Sequence, residues 1–259
     1  MSSSADPAVQ VAGLTKDFGT TRALDGASFE VGRGEIFGLL GPNGAGKTTT
    51  MRILLTLLRP TSGTARVAGL DVTAQPVAVR AQVGWVPQDR TVDPLLTAAE
   101  NVTFMAGMYH LSPRAGRRRA AELLVMADLA EHAGRLARDL SGGMRRKLEL
   151  AMSLVNVPEV LFLDEPTLGL DISARRYLWA YVRQIRDAGT TIVLTTHYLE
   201  EADMLCDRVA VIDRGRIQAA GVPAELKRRF ACATLDEVFL AATGQQLAEQ
   251  PAADQLAAS

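Results

Sequence analysis

A glycine-rich segment carries the most specific chemistry in the sequence. Residues 41–48 read GPNGAGKT and match the pattern G-x-x-x-x-G-K-[ST] of phosphate-binding loops. In such a loop successive backbone N–H groups hold phosphate oxygens, and glycines let the chain approach the anion closely. Lys47 is expected to reach the terminal phosphates, and the Thr48 hydroxyl to bind Mg²⁺. The residues predicted to hold a nucleoside triphosphate here are Gly41, Pro42, Asn43, Gly44, Ala45, Gly46, Lys47, Thr48 and Thr49.

Two carboxylates follow a buried strand further along the chain. Residues 160–163 are apolar, and Asp164 and Glu165 come directly after them. An acid at the carboxyl end of a strand beside a phosphate loop is suited to hold Mg²⁺, which is the role predicted for Asp164. Glu165 is predicted to be the general base that polarises the attacking water. Strand ends often carry solvated acids, and only the upstream phosphate loop makes the catalytic interpretation the stronger one.

A third motif, LSGGM at residues 140–144, precedes the strand that ends at Asp164. Ser141, Gly142 and Gly143 offer exposed N–H donors at the start of a helix, which makes a second anion site. Taken alone, the segment would be interpreted as an ordinary serine N-cap after a loop.

Together these motifs resemble the ATP-binding cassette (ABC) transporter ATPases, over about residues 9–230. The resemblance implies that Phe18 stacks on adenine, and that Gln88 senses Mg²⁺ and water and couples to a membrane partner. It implies that His197 contacts the γ-phosphate and acts with Glu165 and Gln88 in catalysis. Residues 168–171, LGLD, match the loop that crosses the dimer interface. Met144 departs from the usual glutamine of the family signature.

Some of these residues have alternative interpretations. Phe18 could be a core aromatic, and His197 a strand-end histidine that is already hydrogen-bonded. The basic run at residues 145–147 could contact lipid or a partner, although a solvated helix face is the favoured interpretation.

In the family, the signature of one protomer closes over the γ-phosphate held by the other. The resemblance therefore implies a homodimer with composite ATP sites that use Ser141, Gly142 and Gly143. A heterodimer with a related ATPase is the alternative. No apolar run approaches the roughly 20 residues that cross a bilayer. We therefore expect a separate membrane permease that docks near the Gln88 loop, and a peripheral location on the cytoplasmic face of the cell membrane.

Two further segments resemble the bacterial drug and antibiotic exporter branch, which includes the daunorubicin-resistance ATPases. They are residues 196–203, THYLEEAD, and 234–240, TLDEVFL. The implied function is ATP hydrolysis that energises efflux of a drug or antibiotic-like compound. Export of lipid or polysaccharide and a soluble ABC ATPase that acts on ribosomes or in DNA repair are the alternatives. A regulatory cassette without hydrolysis is disfavoured, because Glu165 and His197 are both present.

Short apolar runs that alternate with helical periods predict an α/β fold, and the resemblance makes it a P-loop NTPase of the ABC nucleotide-binding type. An antiparallel β subdomain is expected at residues 9–31 and a helical subdomain at about 89–156, inside a domain that spans 9–230. Residues 231–243 predict an amphipathic helix with Leu235, Val238 and Phe239 on one side. The resemblance to the exporter branch implies that this segment supports the dimer or its regulation. Residues 1–8 and 244–259 are predicted to be mobile.

Composition limits the classes of partner. Apolar residues make up 47% of the chain and the formal net charge is -1, so a folded protein without a nucleic-acid partner is expected. Two cysteines, Cys206 and Cys232, cannot build a disulfide framework and favour a reducing compartment.

Overall fold

The structure of the protein, a computed structural model, describes residues 6–244. Most of the predicted mobile segments, 1–8 and 244–259, therefore lie outside the described residues. The strands are β1 (Val9–Phe18), β2 (Thr21–Val31), β3 (Ile36–Leu40), β4 (Ser62–Val67), β5 (Leu70–Asp71), β6 (Val83–Val86), β7 (Val160–Asp164), β8 (Thr191–Thr196), β9 (Arg208–Asp213) and β10 (Arg216–Gly221). The helices are α1 (Lys47–Leu54), α2 (Pro76–Gln82), α3 (Ala98–Met108), α4 (Pro113–Met126), α5 (Gly142–Ser153), α6 (Ile172–Asp187), α7 (Leu199–Leu205), α8 (Pro223–Arg229) and α9 (Leu235–Thr243).

The entry to the chain forms an antiparallel sheet, as its half-buried strand patterns predict. Its strand order is β2-β1-β4-β5. The β1–β2 ladder runs from the Val9–Val31 pair to the Phe18–Thr21 pair, so the two strands and their turn fill the expected range 9–31. Phe18 consequently lies beside the hairpin turn, at the far end of β1.

A six-stranded sheet with the order β10-β9-β3-β8-β7-β6 carries the predicted motifs. Strands β3, β6, β7, β8 and β9 run parallel, and β10 pairs antiparallel with β9. The register places Leu40 opposite Thr196 and Asp164 opposite Thr195. Carboxyl ends of parallel strands meet at one sheet edge, so the phosphate loop, Asp164 and His197 converge there. The predicted α/β class with an antiparallel part is confirmed.

Only helices lie between β6 and β7, where α3, α4 and α5 pack on one another. Two predicted helices end earlier than expected. Helical periodicity in the sequence extends over about residues 47–58 and 113–130, but the helices stop at Leu54 and Met126. Thr56 and Asp128 take φ angles of +62° and +56°. A right-handed helix cannot continue through this left-handed conformation.

The predicted C-terminal helix is present as α9, and Leu235, Val238 and Phe239 are its buried residues. These side chains belong to the same hydrophobic core as the parallel sheet, and α9 packs against α7, α8, β9 and β10 of its own chain. Its support of a dimer stays a prediction. Among residues 6–244, no helix combines the length and apolarity that a membrane span needs.

Candidate active site

The phosphate loop joins β3 to α1 and depends on glycine at its last position. Gly46 is the N-cap of α1 and has a φ of +110°. A Cβ atom there would lie 2.8 Å from the carbonyl oxygen of Ala23 and 2.8 Å from Leu24 Cδ2. Side chains are therefore excluded by both conformation and space. The loop N–H groups and the start of α1 remain available for an anion.

Lys47 is folded back onto the loop that precedes it. Its Nζ donates hydrogen bonds to the carbonyl oxygens of Gly41, at 2.6 Å, and Pro42, at 3.1 Å. Burial lowers the pKa of the Lys47 ammonium, and the negative charges of Glu165 and Asp164 act in the opposite direction. Nζ lies 4.0 Å from Glu165 Oε1. The loop lysine and the predicted base thus share one low-dielectric site.

A cleft of about 520 Å³ opens beside the loop and collects most of the predicted site residues. Residues from the loop, from the segment after β6 and from the ends of β7 and β8 all line it. Its lining residues are Ala23, Pro42, Asn43, Gly44, Gly46, Lys47, Thr48, Thr49, Gln88, Glu165, Leu168 and His197. A triphosphate in this cleft would meet the predicted base, the predicted switch histidine and the loop N–H groups together.

Glu165 has a strained backbone conformation, which hydrogen bonds to the neighbouring strand β8 hold in place. Its φ is +46°, an uncommon conformation for a residue with a side chain. Its N–H donates to both the carbonyl oxygen and the hydroxyl of Thr195, at 3.1 and 3.2 Å. Strain of this kind persists where surrounding contacts enforce it, and it concentrates at functional sites.

His197 lies against the Glu165 carboxylate. Its Nδ1 is 3.1 Å from Glu165 Oε1, yet it makes no aligned hydrogen bond with any described residue. Its ring also packs on Tyr198, with 4.1 Å between the ring centroids. The alternative interpretation of His197, as a strand-end histidine that is already hydrogen-bonded, gains no support at Nδ1, which has no aligned partner among the described residues.

The predicted metal ligands form an oxygen-only set, which is what Mg²⁺ prefers. Thr48 and Gln88 line the cleft, whereas Asp164 is buried and is not a lining residue. One carboxylate oxygen of Asp164 accepts a short hydrogen bond from the Thr195 hydroxyl. Hydroxyl, amide and carboxylate oxygens at the end of a phosphate loop fit a hard divalent cation.

Phe18 lies on the surface, with 49% of its area exposed, so the core-aromatic interpretation is wrong. The Lys16 ammonium lies 5.1 Å from the centroid of its ring. Phe18 is not a lining residue of the cleft. Its adenine-stacking role stays a prediction.

The signature residues form the capped start of α5 but do not line the cleft. The Ser141 hydroxyl accepts a hydrogen bond from the Met144 N–H at 3.2 Å and caps α5. A Cβ atom on Gly143 would lie 3.2 Å from Ala174 Cβ, so the backbone here approaches α6 closely. Ser141, Gly142 and Gly143 are all absent from the lining of the cleft in this chain.

The solvated-face interpretation of residues 145–147 is wrong for the central arginine. Arg146 is only 8% exposed, and its guanidinium bonds to three backbone carbonyls and to Glu149. Sequence reasoning missed the pair of Arg146 and Glu149, because polar residue types do not signal a buried helix face. Arg146, Glu149, Leu150 and Ser153 follow the spacing i, i+3, i+4, i+7 of one helix face, and all four are buried.

Comparisons with known proteins agree with the geometry. A family profile described as ABC transporter matches residues 24–168. The daunorubicin/doxorubicin resistance ATP-binding protein of Streptomyces peucetius is 50% identical over 220 residues, which cover 85% of this chain and 67% of that protein. The Nod factor export ATP-binding protein I of Ralstonia nicotianae is 47% identical over 220 residues, 85% of this chain and 68% of that protein.

Solved structures give the same result. The ATP-binding subunit of an ABC transporter superposes with a TM-score of 0.79 at 30% identity, covering 91% of this chain and 99% of that one. A dimeric ATP-binding cassette in a post-hydrolysis state, bound to ADP and Pi, has a TM-score of 0.73 at 28% identity, with 83% and 98% covered. Sequence, fold and site geometry agree, and the chain belongs to the ABC transporter family.

Proposed function

We propose that this chain is the ATP-hydrolysing subunit of an exporter, energising efflux of a drug or antibiotic-like compound through a separate membrane permease. The observation that carries the hydrolytic part is the placement of Glu165 beside Lys47 and His197 in the cleft of the phosphate loop. The proposed cargo is inferred from relatives that are named for daunorubicin and doxorubicin resistance and are about half identical to this chain.

The loop residues bind the triphosphate, and Lys47 exchanges its carbonyl partners for phosphate oxygens. Glu165 accepts the proton of the attacking water, and its backbone is held in place by the Thr195 contacts to its N–H. The unpartnered Nδ1 of His197 leaves its ring free to settle on the γ-phosphate side of the cleft. Thr48, Asp164 and Gln88 would hold Mg²⁺, which supplies neutralising charge on the phosphate oxygens.

A second copy of the chain completes the site in this proposal. Each copy has one phosphate loop and one Ser141 segment, and the two are not brought together within a single chain. The Ser141 segment of one copy is a helix start suited to bind an anion, and the triphosphate held in the cleft of the other copy is such an anion. Two copies that face each other would close two ATP sites, which is the arrangement expected from the dimeric cassette in the structural comparison.

The permease is proposed to dock in a groove next to the Gln88 segment. This groove has a volume of about 280 Å³ and lies between the sheet edge and the helical region. Trp85 and Tyr109 line it and are 40% and 37% exposed, beside Pro87, Met105 and Met152. Partly exposed aromatic and Met side chains in a groove are typical of protein interfaces. Docking here would place the chain peripherally, on the cytoplasmic face of the membrane.

A different export cargo is the second candidate, because relatives named for Nod factor export are 47% identical to this chain. Export of lipid or polysaccharide, the alternative given in the sequence analysis, is not tested by these names and remains open beside drug export.

The experiment that tests the proposal measures phosphate release by the purified chain with Mg-ATP, and its loss when the metal is chelated. Co-expression with a candidate multi-span permease then tests assembly, and drug accumulation in a sensitive host tests export. A chain that neither hydrolyses ATP nor self-associates in its presence would overturn the ATPase proposal. Active ATPase without any effect on drug accumulation would overturn the cargo alone.

A further inference from the structure

A buried ion pair joins α5 to the two segments that carry Gln88 and Glu165. Arg146 and Glu149 are 8% and 4% exposed, and Arg146 Nη1 donates to Glu149 Oε2 at 2.7 Å. Both lie within the first eight residues of the helix that Ser141 caps. Buried ion pairs are tolerated where further hydrogen bonds satisfy the remaining polar atoms. The hydrogen-bond partners of Arg146 and Glu149 therefore identify the segments that the ion pair keeps in position.

The first set of partners brackets Glu165. Arg146 Nη2 donates to the carbonyl oxygen of Asp164 at 3.2 Å, and Nε donates to the carbonyl oxygen of Pro166 at 3.0 Å. The residues on both sides of the strained Glu165 are thus tied to one planar group. The fixed fork of a guanidinium can hold several acceptors in one geometry, which an ammonium cannot do.

The second set of partners brackets Gln88. Arg146 Nη1 donates to the carbonyl oxygen of Pro87 at 2.9 Å. Glu149 Oε1 accepts from the Thr91 N–H at 3.2 Å. The segment that contains Gln88 is therefore held at both ends by the same ion pair, while the Gln88 side chain lines the cleft.

We propose that Arg146, supported by Glu149, is a positioning residue for ATP hydrolysis. It fixes Glu165 and Gln88 relative to the helix that begins at Ser141, so a displacement of that helix is transmitted to both residues at once. The inference rests on the proposed function, because it takes Glu165 as the base. Arg146 does not line the cleft, so it is not expected to contact the nucleotide.

Arg146→Lys tests this role. Lysine keeps the charge beside Glu149 but lacks the planar fork that reaches three carbonyls. We expect kcat to fall about 10- to 100-fold, because small misplacements of catalytic groups have effects of this size. The dissociation constant for Mg-ATP should change less than about twofold, since the phosphate loop is untouched.

Arg119→Lys is the matched control. Arg119 also donates to two backbone carbonyls of the α5 region, those of Leu154 and Val155, but at the opposite end of the helix. A general loss of rigidity in α5 would lower kcat in both variants in step with their melting temperatures, and that outcome would overturn the inference. A fall in kcat confined to Arg146→Lys supports it.

Glu149→Gln keeps the inference testable if Arg146→Lys does not fold. Glutamine retains an oxygen for the Thr91 N–H and removes the charge that orients the guanidinium. Its kcat should fall at nearly unchanged ATP affinity, and an unchanged kcat would overturn the inference. Wild-type protein without any hydrolysis would instead overturn the proposed function. Active wild type with a fully active Arg146→Lys would overturn the positioning role alone.

Discussion

Oε1 of Glu165 lies 3.1 Å from Nδ1 of His197, although the two residues follow different strands. Their approach results from the parallel pairing of β7 and β8, in which Asp164 is opposite Thr195. One residue after Asp164 and two residues after Thr195 the chain therefore presents an acid and an imidazole to the same cleft. Both side chains are partly buried, so a water between them and a phosphate would be held in a site of low dielectric.

Glu165→Gln should separate nucleotide binding from hydrolysis. Glutamine has nearly the shape of glutamate but cannot accept the proton of water, so we expect kcat to fall by about 10²- to 10⁴-fold. ATP affinity should be retained, and a nucleotide-bound dimer should accumulate on size-exclusion chromatography. Glu200→Gln, an exposed change at the start of α7, is the control. Unchanged turnover in Glu165→Gln would remove this residue from the role of base.

Ser141→Arg should prevent closure of the dimer while the single chain stays folded. The arginine would fill the space that the partner's triphosphate needs, so ATP-dependent dimerisation and hydrolysis should both be lost. The substitution also removes an N-cap, which costs about 1 kcal/mol of stability. Analytical ultracentrifugation with ATP and Glu165→Gln as background gives the readout.

Ser112→Arg controls for the lost cap. The Ser112 hydroxyl caps α4 in the same way, by accepting from the Ala115 N–H at 3.4 Å. Both arginine variants should lose similar stability, but only Ser141→Arg should lose ATP-dependent dimerisation. Normal hydrolysis by Ser141→Arg would rule out the composite site.

Phe18→Ala should weaken binding of ATP without weakening binding of inorganic triphosphate. Stacking of a base on an aromatic ring contributes about 1–3 kcal/mol, so the ATP dissociation constant should rise roughly 5- to 150-fold. Phe104→Ala, which removes another exposed phenyl ring on α3, is the matched control and should leave both affinities unchanged. Equal ATP binding by wild type and Phe18→Ala, measured by calorimetry, would exclude adenine stacking at this position.

Glu201→Gln should stabilise the protein increasingly as the pH rises. Burial raises the pKa of the Glu201 carboxyl above its ordinary 4.5, although the hydrogen bond from Trp179 Nε1 acts in the opposite direction. The folded chain then keeps a proton that the unfolded chain releases, so stability falls as the pH rises from that ordinary value through the raised one. Glutamine removes this loss and can still accept the hydrogen bond from Trp179 Nε1, now 3.1 Å long.

The melting temperature measured against pH checks this prediction, with a rise of roughly 2–4 °C for each kcal/mol gained. The exposed Glu200→Gln variant should keep the wild-type pH dependence. If the difference in melting temperature between Glu201→Gln and wild type became smaller towards alkaline pH, the upward shift of the Glu201 pKa would be contradicted.

Sequence patterns predicted those parts of the site that are formed by residues close together in the chain. The loop at 41–48 and the strand that ends at Asp164 are contiguous motifs, and their positions follow from strand–turn–helix order. Arg146 could not be interpreted in this way, because its acceptors lie at Pro87, Asp164 and Pro166 and are assembled only by packing of α5. Its run of basic neighbours suggested solvent instead.

The helix ends at Leu54 and Met126 were missed for a related reason. Thr56 and Asp128 adopt left-handed conformations without being glycine, so no residue type signals the stop. Such positions are held by the tertiary structure, which overrides the local preference.

The packing of α9 changes what counts as the smallest working unit of this protein. Phe239 borders a small apolar void that Gly41, Pro42, His197 and Leu199 also line. A chain cut after β10 would lose α9, and with it the Phe239 side chain that borders this apolar pocket beside the phosphate loop. Truncation before α9 is therefore expected to impair nucleotide binding, although no residue of the phosphate loop is removed. An affinity tag should follow α9 and should not replace it.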